Sequence, residues 1–168
     1  MRTMRRKERE ITSQNAIAIL NVTEYGVLST VDEDGQSYGV PLSYAYNNNA
    51  IYFHCAIAGH KLGNIAHNSK ASFCVVGNTN ILPDTFGTEY ESVIAFGTVG
   101  EIHGGERHKA LVLLLEKYCT EFLSEGLKYI ELKNKVTKVF KFEISHMSGK
   151  ARSLVVEAAN QLHFAPKL

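Results

Sequence analysis

Residues 38–61 read YGVPLSYAYNNNAIYFHCAIAGHK, and the rest of the chain is organised around this stretch. Large and small residues alternate through its first half, which predicts a strand with one bulky face and one nearly bare face. The bulky face can pack on a core, and the bare face lets a flat molecule reach the backbone. Because proline cannot donate to a ladder, Pro41 predicts an edge or an interrupted pairing. The large residues are Tyr38, Val40, Leu42, Tyr44 and Tyr46, and the small ones are Gly39, Pro41, Ser43 and Ala45.

The second half of the stretch predicts another strand, which completes a β-hairpin and runs directly into a helix start. The strand is IYFHC at 51–55, and Gly59 and Lys61 flank the helix start. Free backbone N–H groups at such a start, together with a lysine, suit a phosphate group. Two interpretations stay open from the pattern alone: an ordinary hairpin packed on a helix, or a site for a flat, phosphorylated ligand.

The composition predicts one domain with a substantial core and no general attraction to nucleic acid or anionic membrane. The chain has 168 residues, of which 45% are hydrophobic, and 18 Lys and Arg against 17 Asp and Glu give a net charge of +1. Such a balanced charge creates no long-range field. The basic segment MRTMRRKER at 1–9 is diluted by Glu8 and Glu10, so a solvated helix start is favoured over a nucleic-acid-binding arm.

The cysteines and the absence of sorting signals predict a cytoplasmic protein. Cys55, Cys74 and Cys119 form no CxxC motif, and an odd number is typical of buried free thiols in a reducing compartment. The basic N-terminus lacks the apolar segment of a secretory signal. No apolar run reaches the length that spans a membrane.

About six strands at short spacing, with helices between and after them, predict a mainly β (α+β) domain: an antiparallel barrel with peripheral helices. Asp34-Gly35 is a strong hairpin signal, and Gly97 and Gly100 are candidate bulges. Ser13 is the predicted cap of the first helix. The other predicted elements are strands at 51–55, 71–76, 88–102 and 136–144, helices at 62–67, 106–122 and 127–133 with a break at Gly126, and a loop at 77–87.

The residues support few familiar catalytic motifs. His54, His60 and His67 are spaced by six and seven residues, which matches no familiar pair of metal ligands. Cys55 directly follows His54 on a strand, so the two side chains point to opposite faces and cannot form a dyad. The sequence contains no GxSxG elbow, P-loop or GxGxxG fingerprint. His54 itself is either a structural histidine or one that lies beside a ligand.

Five segments in order resemble the FMN-binding split-barrel proteins related to pyridoxamine 5′-phosphate oxidase, and most of all their 5-nitroimidazole-resistance group. The resemblance implies a six-stranded split barrel over 1–152, followed by a tail over 153–168 that is helical or docked on a partner subunit. It also implies a homodimer with two flavins in clefts between the subunits. The segments are MRRKEREI at 4–11, YGVPLSYAY at 38–46, IYFHCAIAGHK at 51–61, YESVIAFG at 90–97 and ISHMSGKAR at 144–152.

The resemblance also assigns residues to an FMN site, with FAD as an alternative cofactor. Val40, Pro41, Leu42 and Ser43 line the edge of the ring, mainly through backbone groups. His54 and Ala56 lie along the ring and ribityl chain. His54 is also the candidate proton donor, because the free pKa of histidine, about 6.5, suits a proton donor at neutral pH. The phosphate is assigned to Lys61 with the turn from Gly59 to Leu62, and the remaining residues, some from the partner subunit, are Glu91, Ser92, Ser148, Gly149 and Lys150.

The activity implied is that of an FMN-dependent reductase that takes electrons from a small donor such as a reduced nicotinamide and passes them to a small acceptor, which includes nitroimidazoles. The chain has no tryptophan and ends in SLVVEAANQLHFAPKL, so it lacks the tryptophan-containing, arginine-rich substrate segment of the oxidase itself. Pyridoxamine phosphate oxidation is therefore not expected. A flavin carrier or redox sensor without turnover, and a haem or deazaflavin binder on the same barrel, remain as alternatives.

Overall fold

The computed structural model describes residues 3–152 of the chain, and the predicted tail over 153–168 lies outside the described residues. Within them, four α-helices accompany eight β-strands. The helices are α1 (Ser13–Val22), α2 (His60–His67), α3 (Gly104–Tyr118) and α4 (Leu123–Leu132). The strands are β1 (Glu10–Ile11), β2 (Tyr25–Val31), β3 (Ser37–Ser43), β4 (Ala45–Asn47), β5 (Ala50–Ala56), β6 (Lys70–Leu82), β7 (Gly87–Glu101) and β8 (Thr137–Arg152).

The strands form one antiparallel sheet that curls into a barrel. Its order is β3-β2-β6-β7-β8-β5-β4, with β1 added beside β8. The two end strands of this path, β3 and β4, are separated in the chain by Tyr44 alone. The chain connection therefore brings the two ends of the sheet together. This architecture confirms the predicted antiparallel barrel with peripheral helices. Strand β4 is the end of the strand predicted from the alternation over 38–46, and β1 is an additional short strand.

The barrel interior holds the main hydrophobic core, to which every long strand contributes. Phe53, Phe73 and Phe142 are almost fully buried there. Helix α1 adds Ala16, Ile19 and Leu20 to the same core. A second cluster lies outside the barrel, where α3 and α4 pack over the outer face of β5. Helices α3 and α4 therefore cover the outer face of β5.

The β6–β7 hairpin is longer than the sequence predicts. Most residues of the loop predicted at 77–87 belong to strands. Strand β6 continues to Leu82 through an irregularity between Val76 and Thr79. The buried carboxylate of Glu91 accepts hydrogen bonds from the backbone and side-chain nitrogens of Asn78, at 3.1 and 3.2 Å. The first part of the predicted loop therefore belongs to the sheet, where this cross-strand carboxylate bonds to the backbone of Asn78.

Strand β8 also extends beyond its predicted end at Ile144 and runs to Arg152. Its pairing with β7 shifts between Phe96 and Gly97, so that Ser145 is the extra residue of a bulge. The Ser145 hydroxyl donates to the carbonyl oxygen of Phe96 at 3.0 Å. The bulge predicted at Gly97 is confirmed, although its extra residue belongs to β8. The one predicted at Gly100 is wrong, because Gly100 pairs regularly with Lys141.

The cap of α1 and the role of Gly126 differ from the predictions. Thr12, rather than Ser13, caps α1, because its side chain accepts a hydrogen bond from the Asn15 backbone at 3.2 Å. Gly126 lies inside α4 and does not break it. A β-carbon at Gly126 would lie 2.6 Å from the Leu115 side chain, so glycine here permits the close approach of α4 to α3.

Candidate functional site

The barrel is open on one side, between the end of β3 and the second half of β5. Strand β4 pairs with β5 only from Ala50 to Tyr52. Beyond Tyr52, strand β5 continues to Ala56 with β8 on its other side, while the chain before Tyr44 turns away to join β2. We call this opening, bordered by Ser43 on β3 and residues 53–56 on β5, the split. Strand β3 is also the terminal strand of the path, which confirms the edge position predicted from Pro41.

The corner at Tyr44 that creates the split is fixed by α3. The Tyr118 hydroxyl accepts from the Tyr44 backbone N–H at 2.9 Å and lies 2.8 and 2.6 Å from the carbonyl oxygens of Tyr44 and Glu24. The Lys117 ammonium donates to the carbonyl of Thr23 at 2.8 Å and lies 3.8 Å from the centre of the Tyr44 ring. Desolvation lowers the pKa of Lys117 to about 8. At this corner the backbone no longer pairs within the sheet, and its free N–H and C=O groups form hydrogen bonds with the side chains of Lys117 and Tyr118 on α3 instead.

Helix α2 follows β5 directly and is held against β2 and β3. The buried Asn64 amide donates to the Thr30 hydroxyl at 3.1 Å, and this hydroxyl donates to the Tyr38 carbonyl at 3.4 Å. The rings of Tyr38 and His60 stack with centroids 4.2 Å apart. These contacts link the first turn of α2, where Lys61 lies, to the strand that borders the split. Among residues 3–152, Lys61 makes no ion pair.

His54 lies on the face of β5 that points away from the barrel core. Ile51 and Phe53 are fully buried in the barrel, whereas Tyr52 packs in the outer cluster, so the predicted orientation of His54 is confirmed. The side chain remains accessible at the split. Desolvation, and secondly the charge of Lys61, lower the pKa of His54 below its ordinary value. The imidazole is therefore mainly neutral at pH 7, and its ammonium neighbour is close enough to influence it.

The two faces of β3 differ as predicted. Gly39 and Pro41 are exposed, whereas Val40 and Leu42 pack against the barrel core. Strand β3 has only β2 as a neighbour, so part of its backbone polar groups point to the open edge. The Val40 and Leu42 side chains are occupied by packing, which leaves their backbone, together with Pro41 and Ser43, for contact with a ligand.

A cavity of about 730 Å³ opens from the split and runs between β5 and the two helices α3 and α4. We call it the helical cavity. Ser43, His54, Cys55 and Ala56 line its end at the split. The other walls come from the helices and the segment after them: Arg107, Leu111, Leu114, Leu115, Tyr118, Cys119, Tyr129, Ile130, Lys133, Val136 and Thr137. Its volume lies within the range of small-molecule sites.

The structure brings one group of the predicted site residues together. Ser43, His54 and Ala56 share the wall of one cavity, and the charge of Lys61 acts on His54. Gly59 precedes α2 with φ of +148°, a conformation that favours glycine, and its surroundings are open. Leu62 follows in the first turn, where its N–H is bonded to the Gly59 carbonyl at 3.0 Å.

A second group of predicted residues lies elsewhere on the same chain. Ser92 on β7 is paired with Lys150 on β8 and faces outward. Two strands separate β7 from β3 in the sheet, which places Ser92 about 14 Å from β3. Ser148 lies ten residues beyond Lys138, the partner of Cys55, which corresponds to about 33 Å of strand. Gly149 is also remote from the split, because it pairs with Val93 and Ile11 on the barrel body.

Glu91 differs from its neighbour Ser92, because adjacent strand residues face opposite sides. Its side chain is buried, only 5% exposed, and bonded to Asn78. Within one chain, Glu91 therefore holds the irregular part of β6, between Val76 and Thr79, against β7.

Several residues of the cavity were not singled out as site residues from sequence. Leu111, Leu115 and Tyr118 lie on one helical face, and this spacing predicts the helix but not a ligand site. Such spacing shows that the three side chains share one face of α3, but it cannot show that this face borders a cavity. For Arg107, Tyr129 and Lys133 the sequence offers no local signal, because they reach the cavity only when α4 folds back on α3.

The cysteines are free but not fully buried, since Cys55, Cys74 and Cys119 are all of intermediate exposure. Burial raises the pKa values of the Cys55 and Cys74 thiols. Within residues 3–152, no group of three or more His, Cys, Asp or Glu side chains is placed to hold a metal ion. None of the helices in this range has the length and apolar character needed to cross a membrane.

Many solved structures have folds similar to this one. A candidate 5-nitroimidazole antibiotic resistance protein from Bacteroides thetaiotaomicron is 20% identical, with a TM-score of 0.70, and the match covers 84% of this chain and 86% of that one. A FAD-binding protein from Mesorhizobium loti is 24% identical, with a TM-score of 0.60 and coverage of 86% and 98%. A FAD- and heme-binding protein from Mycobacterium smegmatis is 16% identical, with a TM-score of 0.69 and coverage of 85% and 73%.

The family of the chain is established from its sequence rather than from its fold. No curated protein matches the chain. The family model described as pyridoxamine 5′-phosphate oxidase matches residues 12–151, which span every strand from β2 to β7, all four helices and nearly all of β8. The resemblance inferred from the five sequence segments is thereby confirmed, and the chain belongs to the pyridoxamine 5′-phosphate oxidase family.

Proposed function

We propose that the protein binds a flavin in the split and uses it as an oxidoreductase. The observation that carries the proposal is the convergence of Ser43, His54, Ala56 and the charge of Lys61 at the open edge of β3. The related fold of the FAD-binding protein from Mesorhizobium loti supports it. FMN is the favoured form, because a single terminal phosphate matches a single lysine at the start of α2, and FAD is the alternative.

The residues fit such a cofactor through their shape and charge. The backbone of Val40 to Ser43 would bind the polar edge of the ring, because β3 offers unpaired groups there and small side chains at Pro41 and Ser43. Lys61 and the first-turn N–H groups of α2 would bind the phosphate. His54 and Ala56 would lie beside the ring and its chain.

A bound flavin would supply the two-electron transfer chemistry of the reaction. The donor proposed is a reduced nicotinamide, and the acceptor is a small oxidised molecule such as a nitroimidazole. Overall, the nicotinamide gives up a hydride, which carries two electrons and one proton, and solvent gives up a second proton. The acceptor therefore gains two electrons and two protons. The protein would position both partners and deliver the proton.

His54 is the proposed proton donor at the split. Its lowered pKa makes the His54 imidazolium a better proton donor than an ordinary histidine, and this charged form is populated mainly at lower pH. Turnover is therefore expected to fall as pH rises through the pKa of His54, which lies below the ordinary value of about 6.5. His54→Ala is expected to lower kcat by about a hundredfold and to flatten this profile, with flavin retained. Unchanged turnover in a variant that still binds flavin would contradict the role.

We infer that a second copy of the chain covers the outer face of the sheet. The paired residues Pro41, Val27, Cys74, Ile94 and Ser148 form one row across five strands. The next row consists of Gly39, Ser29, Ser72, Phe96 and His146. Neither row contains Asp, Glu, Lys or Arg, and Val27 and Ile94 are 39% and 41% exposed. We call these two rows the neutral face.

The neutral face would connect the two groups of predicted site residues. It includes Pro41 and Gly39 of β3 at one side and Ser148 of β8 at the other, with Ser92 and Lys150 adjacent. A second copy on this face would bring its own Ser92, Ser148, Gly149 and Lys150 towards the first copy's split. This arrangement accounts for residues that one chain keeps about 14 Å or more from β3.

Ile94→Lys is expected to dissociate the dimer and to weaken flavin binding with it. Two lysines would be buried in one symmetric contact, so the dissociation constant should rise by at least about a hundredfold. Light scattering with size-exclusion chromatography would measure the mass. Leu132→Lys on α4 is the matched control, because Leu132 is 76% exposed and lies away from the neutral face. A dimeric Ile94→Lys protein would contradict the assignment of this face.

The direct test of the proposed function has two steps. The cofactor of the purified protein is released and identified by mass, and oxidation of reduced nicotinamides is then measured with a panel of nitro and quinone acceptors. A colourless protein that takes up neither FMN nor FAD would contradict flavin binding. Bound flavin without turnover of any acceptor would favour a carrier or redox sensor.

The free cysteines agree with a cytoplasmic site of action.

Haem is the second candidate ligand, and the neutral His54 beside an apolar cavity is the observation that favours it. A neutral imidazole can ligate iron, and the relative from Mycobacterium smegmatis is described as binding both FAD and heme. The visible spectrum with added haem distinguishes the two. A haem absorption band that is lost in His54→Ala would favour this candidate.

A further inference from the structure

We propose that the helical cavity binds a monocarboxylate with an apolar body, whose carboxylate group is bound by Arg107 and Lys133. Both cations line the cavity, whereas no Asp or Glu among residues 3–152 lines it. This ligand is additional to the flavin and to the electron acceptor, and the inference holds whether or not a flavin lies in the split.

The guanidinium of Arg107 stands at the end of the cavity where β8 begins. Its Nη2 donates to the carbonyl oxygens of Asn134 and Thr137, both at 3.2 Å. These two bonds fix the position of the group, and the Nε and Nη1 donors remain for a ligand. Because carbonyl oxygens carry no net charge, the positive charge of Arg107 is not neutralised there.

Lys133 directly follows α4 and brings a second positive charge to the same cavity. Within residues 3–152 neither of the two cations forms an ion pair. Two carboxylates lie close to them in sequence but face other groups. Glu106 pairs with Lys141 at 3.4 Å. Glu131 lies 4.0 Å from His108. The cavity therefore presents a positive charge that only a ligand would compensate.

The cavity wall beyond the two cations is apolar. At 1.5 Å per residue, Leu111 lies about 6 Å along α3 from Arg107, and Leu115 lies about 12 Å from it. Ile130 of α4 and Val136 add further apolar surface. An aryl or alkyl group on a chain of a few carbons matches this length, and its burial against the leucines would stabilise the complex.

The pairing of these cations with an apolar wall selects a monocarboxylate over other terminal groups. An ammonium group would meet two uncompensated cations, and an alcohol would form hydrogen bonds without the attraction of a full charge. A phosphate dianion costs more to dehydrate beside leucine side chains than a carboxylate does. Of the two cations, Arg107 is partly buried and Lys133 is exposed, so a single negative charge is the better match.

Exchange of the terminal group on one apolar body tests the inference. Isothermal titration calorimetry of the purified protein compares phenylbutyrate, phenylbutanol and phenylbutylammonium, which differ only at the end of the chain. Phenylbutyrate is expected to bind at least tenfold more tightly than the other two. Equal affinities, tighter binding of the alcohol or the ammonium, or no binding of phenylbutyrate would overturn the assigned ligand class.

Variants of the two cations locate the carboxylate. Arg107→Gln is expected to weaken phenylbutyrate binding by at least tenfold and to leave phenylbutanol binding unchanged. Because Arg107 also holds backbone carbonyls, Lys133→Glu at an exposed position provides a second variant with the same expected result. Lys135→Glu is the matched control, since Lys135 is exposed and does not line the cavity. Equal losses for the acid and the alcohol would show a structural role and overturn the assignment.

A variant of the wall locates the apolar body. Val136→Trp places a large side chain at a position that lines the cavity and is 53% exposed, so folding should tolerate it. It is expected to weaken both phenylbutyrate and phenylbutanol by at least tenfold. The control is Leu132→Trp, at a residue that is 76% exposed and does not line the cavity. Unchanged affinities in Val136→Trp would overturn the assignment to the helical cavity.

Competition with the proposed cofactors separates this inference from the proposed function. Saturation with FMN is expected to change the affinity for phenylbutyrate less than threefold. Displacement of phenylbutyrate by FMN or by haem would overturn the inference, because that cofactor would then occupy the helical cavity. A protein that binds phenylbutyrate as expected and takes up no flavin would support the inference and contradict the proposed function.

Discussion

Lys61→Gln is expected to weaken FMN binding by about ten- to a hundredfold. A hydrogen bond between a lysine ammonium and a phosphate contributes about 1.5–3 kcal/mol, and each 1.4 kcal/mol changes the dissociation constant tenfold. Lys61 lies in the first turn of α2, and no ion pair within residues 3–152 competes for its charge. Titration of the cofactor-free protein with FMN, followed by flavin fluorescence, measures the change.

Riboflavin provides the control for this prediction, because it has the same ring and lacks the phosphate. Its affinity should be the same in the native protein and in Lys61→Gln. Lys70→Gln, at an exposed lysine that begins β6, should leave FMN affinity unchanged. If riboflavin and FMN lost affinity equally, Lys61 would contact the ring or support the fold, and the phosphate assignment would be wrong.

Gly97→Ala is expected to lower the free energy of unfolding by about 3 kcal/mol or more. A β-carbon at this position would overlap the backbone carbonyl oxygen of Glu143 on β8. Backbone of a paired strand cannot move aside as a flexible side chain can, so the β7–β8 ladder would have to separate beside the Ser145 bulge. Thermal and denaturant unfolding measure the loss.

Gly100→Ala is the matched control on the same strand. Nothing lies within 4 Å of a β-carbon at Gly100, and its pairing with Lys141 is regular. Its stability should therefore stay within about 0.5 kcal/mol of that of the native protein. Equal stabilities for the two variants would show that the bulge accommodates a side chain, contrary to the close approach of the two backbones.

The elements predicted correctly are those whose signal is local. Asp34-Gly35 specified the β2–β3 hairpin, because a glycine with φ of +84° at this turn satisfies its geometry. Alternation placed Ile51 and Phe53 inside the barrel and His54 outside it. The same period places Ser92 and Ile94 on one face of β7, which is the outer face of the sheet. Each of these inferences needs only neighbours within a few residues.

The elements predicted wrongly depend on partners that are distant in sequence. The loop predicted at 77–87 is largely strand, because Glu91 and β7 hold most of these residues in the sheet. Gly126 suggested the end of a helix, but it serves the contact between α4 and Leu115. In both places tertiary contacts overrode local propensity.

The candidate site divides in the same way. Alternation and the resemblance together identified Ser43, His54, Ala56 and Lys61, and the structure brings these residues to one opening. The break at Tyr44 was not predicted, because the pattern of large and small residues continues through it to Tyr46. Only the contacts of Tyr44 with Tyr118 and Leu20, which lie 74 and 24 residues away, show why the strand turns there.

The sequence by itself determined the strand and helix types, the bare face of β3, the basic start of α2 and the family. The tertiary structure alone decided that β3 and β5 separate beyond Tyr44, and that α3 and α4 enclose a cavity behind His54. The physical reason is the range of the interactions. Strand and helix patterns arise from neighbours along the chain, whereas an opening is a space between elements that meet only after the sheet has curled and the helices have packed.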